Sequence, residues 1–218
     1  MIVQSTLDFL ADLHKNNNRE WYHANKNRFK DAFINFEDLI AMLLHTISGF
    51  DDLIIGTEPK ECISQIYRDI RFSKDKTPYK SWFGASMKPG GRRGIGSGYY
   101  IHISSKLVYI SGGIWHPSQD TLSAIRDYII ACPNKFENVA LNKSFQQTFG
   151  ELGGEKLKIS PRGIPKNHPQ IKWLRHKDFI VSLQFNPQDI LSEKFITNAG
   201  KGYEKMLPLN QFISKEIY

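Results

Sequence analysis

A chain of 218 residues, 40% hydrophobic and 23% charged, is long enough to bury a sizeable core as one domain or two small ones. That balance excludes a disordered chain, and the longest apolar run falls far short of a membrane span. The net charge of +7 is concentrated: residues 68–106 hold nine Lys/Arg and two Asp, while the rest sets twenty bases against twenty acids.

Residues 1–15, with Asp8 and Asp12, do not read as a signal peptide, so no membrane partner and a cytoplasmic location are expected. Two isolated cysteines, Cys62 and Cys132, fit neither a disulfide framework nor a paired metal site.

In chain order, residues 5–15 predict a short amphipathic helix capped by Ser5 or Thr6, with Leu7, Leu10 and Leu13 inward. Asn17 followed three residues on by Glu20 resembles a capping box. A long helix is then expected from about Arg19 to Ser48, with Phe29, Phe33, Phe36, Leu39, Leu43 and Ile47 on one stripe and Gly49 as its stop. Residues 63–72, 82–88, 98–104 and 107–114 alternate as strands do, across loops bearing Pro78, Pro89 and several glycines. Such strands give one oily face and one face of tyrosine, serine and histidine, and the Ser105-Lys106 link favours antiparallel pairing. Pro117-Ser118 and Pro133 open helices, residues 151–169 read as loop, and 178–185 alternates again. The tail from Pro187 reads as helical, interrupted near Gly200-Lys201-Gly202 and at Pro208. These elements predict a single α+β domain over 1–218, with a mostly antiparallel sheet of about five strands, a long N-terminal helix and several shorter ones.

Concentrated positive charge faces an anion. Arg68, Arg71, Lys74, Lys76 and Lys80 combine arginine forks that fit carboxylate or phosphate oxygens with mobile lysine charges. On a strand Arg68 shares a face with Ile66 and Ile70, so it is partly sheltered and needs a partner, either a carboxylate or a ligand anion. Asn16 to Trp21 lies at a helix start, where backbone N–H groups favour negative charge and where Arg19, Glu20 and Trp21 form a wall. The Gly90–Gly98 loop with Arg92 and Arg93 lacks a phosphate-loop fingerprint, since a strand rather than a helix follows. Seven histidines show no paired spacing, so no metal is expected. Arg162 and His168 sit among prolines that shape either a pocket or a surface loop.

These stretches resemble one known family. Asn16-Asn17-x-Arg19-Glu20-Trp21-x-x-x-Asn25-Lys26 and the run Ile66 to Lys80 are its most recognisable blocks. Gly98-Tyr99-Tyr100, Gly113-x-Trp115-x-Pro117, Pro161-Arg162-Gly163 and His168-Pro169 continue the match in order. The chain is similar over nearly its full length to domain-of-unknown-function family 2461, a group of mainly bacterial proteins. The resemblance implies no catalytic residues and no substrate, and the loop at 90–98 lies outside its pattern.

The leading expectation is a site for a phosphate- or carboxylate-bearing small molecule, with or without catalysis and without a cofactor. Arg68, Arg71, Lys76 and Tyr79 would bind the anion, Arg19, Glu20 and Trp21 would form one wall, and Tyr100, His102 and Trp115 another. His102 and Asp69 are the candidate proton carriers. The alternatives are a nucleic-acid binder using the basic segment 68–106, and an interaction protein whose arginines are paired internally.

Overall fold

Alternation in the middle of the chain becomes one antiparallel sheet of four strands, paired in the order β1 (Trp82–Met87), β2 (Gly98–Ser104), β3 (Val108–Ile114) and β4 (Phe179–Phe185). The computed structural model describes residues 1–215. Burial along the strands follows the pleat: Tyr99, Ile101 and Ile103 of β2 are buried, as are Val108, Ile110 and Ile114 of β3. The turn after β2 is closed by Ser104, whose Oγ accepts the N–H groups of Lys106 and Leu107.

The sheet has four strands where five were expected. Residues 63–72 form no strand and contribute only single bridges, Ile63 with Ala85 and Tyr67 with Tyr79. Local bonds compete with the ladder there: Asp69 Oδ1 accepts the Arg71 N–H, the Ser73 N–H goes to the Ile70 carbonyl, and Asp75 Oδ1 accepts the Thr77 N–H.

The described helices are α1 (Gln4–Lys15), α2 (Arg19–Ala24), α3 (Lys26–Ser48), α4 (Pro59–Cys62), α5 (Gln119–Ala131), α6 (Pro133–Ala140), α7 (Lys143–Phe149), α8 (Ile171–Leu174) and α9 (Lys194–Ser214). The expected helix from Arg19 is therefore two. Asn25 departs from helical geometry (φ −109°, ψ 21°), and its amide donates back to the Trp21 carbonyl at 2.9 Å, closing α2 before α3 begins. The cap of α2 is Asn18, which accepts the Trp21 N–H at 2.9 Å; Asn17 is engaged elsewhere. Neither Ser5 nor Thr6 caps α1. Thr6 is buried within it and donates to Asn35.

The chain divides into two compact units. The first comprises Met1–Gly94, Tyr100–Ile110 and Gln184–Lys201. Its core is the α3 stripe of Phe36, Leu39, Ile40, Leu43 and Ile47, packed with α1 and with Phe83 of β1, whose ring stacks on Phe36 at 5.2 Å. Each such side chain contributes roughly 1.5–3 kcal/mol on burial. The second unit comprises Ile95–Tyr99, Ser111–Leu183 and the residues from Gly202 onward. There Phe136 of α6 meets Trp173, Phe179 and Phe212 with ring centroids 5.0–6.0 Å apart.

The tail is one unbroken helix, α9, with Pro208 inside it. A proline there costs about 3 kcal/mol. The stripe of Phe195, Ala199, Tyr203, Met206, Leu209 and Ile213, all buried, offsets that cost by continuous packing. At Gly200 a Cβ would come within 2.7 Å of Thr46 Cγ2, so glycine here marks close approach to α3 and not an interruption. No described helix is long and apolar enough to cross a membrane.

Candidate functional site

The loop 68–78 is built on its own ion pairs. Arg68 is sheltered, with 26% of its side chain exposed, and Nη1 lies 2.5 Å from Asp75 Oδ2 while also donating to the Thr77 hydroxyl and carbonyl. Arg71 grips Asp69 with both edges of its fork, Nε to Oδ1 at 3.0 Å and Nη2 to Oδ2 at 2.7 Å. The Arg71 fork holds the Asp69 carboxyl, and the Thr77 N–H together with Arg68 holds that of Asp75, well below the usual carboxylate range, to about 2. Lys76 Nζ donates to the Ile70 carbonyl at 3.0 Å, and neither Lys74 nor Lys76 has an acidic partner among the described residues.

The N-terminal block meets this segment through Tyr79. Asn17 reads the Tyr79 backbone as a neighbouring strand would: its Nδ2 donates to the carbonyl at 2.8 Å and its Oδ1 accepts the N–H at 3.0 Å. The Tyr79 ring stacks on Tyr22 at 4.1 Å and lies 5.5 Å from Tyr67. Burial raises the Tyr79 pKa, and the Arg19 charge opposes that rise. Arg19 and Glu20 are exposed, while Trp21 packs on Phe9 with the Arg28 guanidinium 5.8 Å from its ring.

On the sheet face opposite the α3 core, a second group of side chains converges. The Lys80 ammonium lies 5.0 Å over the Trp82 ring, Trp82 is 4.9 Å from His102, and His102 stacks nearly parallel on Tyr109 at 4.9 Å. Tyr100 is 6.0 Å from Tyr109. Its hydroxyl passes over Gly84 of β1, where a Cβ would stand only 2.4 Å away, so that glycine gives the phenol its room. Half-burial, together with the nearby Arg92 charge, lowers the Lys80 pKa. Arg92 donates to the Ile63 carbonyl at 3.0 Å. No acidic side chain among the described residues pairs with Lys80 or Arg92.

Burial raises the pKa of Tyr100 and Tyr109 and pushes His102 down to about 4. His102 is therefore neutral at pH 7, and Asp69 is ionised and held by Arg71. Neither is poised near neutrality, where a general base works best.

Trp115 belongs to the second unit, where it is 70% exposed and lies 4.2 Å from His116. His116 has a positive φ of 48° and is held there by Asp178, a carboxylate 1% exposed that accepts the His116 N–H and the Glu155 N–H, each at 2.8 Å. Also in this unit, Arg126 is buried and donates to the carbonyls of Leu174 and His176. Among the described residues, no three His, Cys, Asp or Glu side chains gather as a metal site.

Of the residues picked from sequence, Tyr79 and Arg19 come together, as do Tyr100 and His102, while Arg68 and Arg71 are each closed on a neighbouring aspartate. Lys80 was expected in the basic cluster, whereas Trp82, Arg92 and Tyr109, which lie near it, were not named among the expected binding residues. Strand parity pointed to Trp82 and Tyr109, since both share the pleat face of Tyr100 and His102. Nothing in the sequence placed Arg92 beside Lys80.

No curated protein and no solved structure matches the chain. A family model does, over residues 5–212, and so the chain belongs to the family described as "Conserved hypothetical protein (DUF2461)".

Proposed function

We propose that the first unit binds a phosphate- or carboxylate-bearing small molecule on the sheet face of Trp82, Tyr100, His102 and Tyr109. Lys80 and Arg92 meet the anion. The observation that carries this reading is the pair itself: two neighbouring cations, Lys80 half-buried, with no acidic partner among the described residues. Like charges so placed repel each other, and a bound anion relieves that repulsion. Three aromatic rings in sequence offer a planar ligand stacking surface, and the two phenols offer neutral hydrogen bonds.

The face suits binding better than proton transfer. His102 titrates at about 4, and the two phenols are shifted away from neutrality. The Arg68–Asp75 and Arg71–Asp69 pairs favour an architectural role for the loop, beside the binding face.

Thermal melting against nucleotides, sugar phosphates and organic acids tests the reading. A ligand at a hundred times its dissociation constant stabilises the native state by about 2.7 kcal/mol. A hit lost in Lys80→Met and kept in Arg71→Ala supports the face. A hit lost in Arg71→Ala and kept in Lys80→Met moves the site to the loop.

A further inference from the structure

At the tip of the 68–78 loop stands a ring that nothing covers. Phe72 is 96% exposed, and Tyr67 at the base of the loop is 58% exposed. Solvated loops hold lysines and serines in such positions, because an apolar ring in water gives up its burial. The ring does not fold back, because the loop beneath it is ordered. Asp69 takes the Arg71 N–H at 3.2 Å, Asp75 takes the Thr77 N–H at 2.9 Å, and Lys76 Nζ caps the Ile70 carbonyl. The Arg71 guanidinium lies 5.9 Å from the ring centroid, and Lys74 is exposed without an acidic partner among the described residues.

We infer that this loop is a contact for single-stranded nucleic acid, with a base stacked on Phe72 and phosphates met by Lys74 and Lys76. An exposed π-face on a loop that also carries Lys74 and Lys76, neither with an acidic partner among the described residues, is what a splayed base and its backbone require. Bases within a duplex are already stacked, so a ring at a loop tip could use them only by unstacking a base step, at a cost in free energy. A bilayer would reward clustered aliphatic groups, yet Ile70, the loop's one branched aliphatic residue, is half-buried. The inference uses none of Lys80, Trp82 or His102, so it stands or falls apart from the small-molecule reading.

The experiment is fluorescence anisotropy of labelled oligothymidylate and oligouridylate with the full chain, from low to physiological salt. Native protein binds, and Phe72→Ala weakens binding about tenfold. Phe72→Tyr keeps a stacking face and stays near native. Lys74→Gln lowers the slope of log affinity against log salt by about 0.7, one phosphate contact on a single strand. Equal melting temperatures confirm that the variants fold. An absence of binding by the native protein overturns the inference, as does affinity unchanged in Phe72→Ala. Capture on phosphatidylserine vesicles through Phe72 without oligonucleotide binding overturns it in favour of a membrane contact.

Discussion

The loop 68–78 and the sheet face beside it are both basic, and they use their charges in opposite ways. In the loop each arginine is closed on an aspartate a few residues away, Arg68 on Asp75 and Arg71 on Asp69. On the face Lys80 and Arg92 have no acid, and burial works against the lysine's charge. Charge density along the sequence is highest in the loop, where Lys74 stands exposed in solvent without an acid among the described residues, but the unmet charge that is half-buried lies on the face. A cation held without a counter-charge in a half-buried place is stronger evidence for an anion than a surplus in a window.

The sharpest way to break this comparison is to remove one cation from each region. Lys80→Met should weaken any anionic ligand found by melting roughly 10- to 100-fold, the range expected for a charged hydrogen bond lost, read by calorimetric titration. Equal loss in Arg71→Ala would erase the distinction.

Acid separates the regions next. His102 has a folded pKa of about 4, below its ordinary 6.5, so the unfolded chain binds the proton first. Stability is therefore lost as pH falls from about 6.5 to 4, by an amount on the order of 1–2 kcal/mol after solvent screening. Asp69 and Asp75 titrate near 2, so their contribution persists through that window and is lost only below it. Urea unfolding against pH should show the first decline, and His102→Asn should reduce it, the remainder belonging to His176, which burial also pushes down to about 4.

Within the loop the two arginines differ. Arg68 is sheltered and satisfies the Thr77 carbonyl as well as Asp75, so Arg68→Ala should cost about 1 kcal/mol and speed amide exchange at Thr77. Arg71 and Asp69 are both exposed, and Arg71→Ala should leave stability nearly unchanged in the same urea titration.

Periodicity made most of the fold legible. Strand parity located the buried and open faces of β2 and β3, and helical spacing located the α3 stripe. The failures share one cause. At Asn17, Asn25, Asp69 and Asp75 a short polar side chain bonds backbone, and which backbone group it finds depends on chain distant in sequence or on a turn that alternation hides. At Pro208 the error ran the other way, because packing overrode a strong local preference. The site was half legible. Tyr100 and His102 followed from parity, whereas the pairing of the arginines and the isolation of Lys80 with Arg92 are properties of three-dimensional neighbours.

The Asn17 amide has a kinetic consequence. Tyr79 gives both its N–H and its C=O to a side chain 62 positions earlier in the chain. Its amide proton can gain exchange protection only once α1 and α2 have docked, so that single proton clocks a long-range closure in refolding. The slow arrival of such distant contacts sets folding rates. Asn17→Ala should therefore unmask the Tyr79 amide and slow the step in which the N-terminal helices join the sheet.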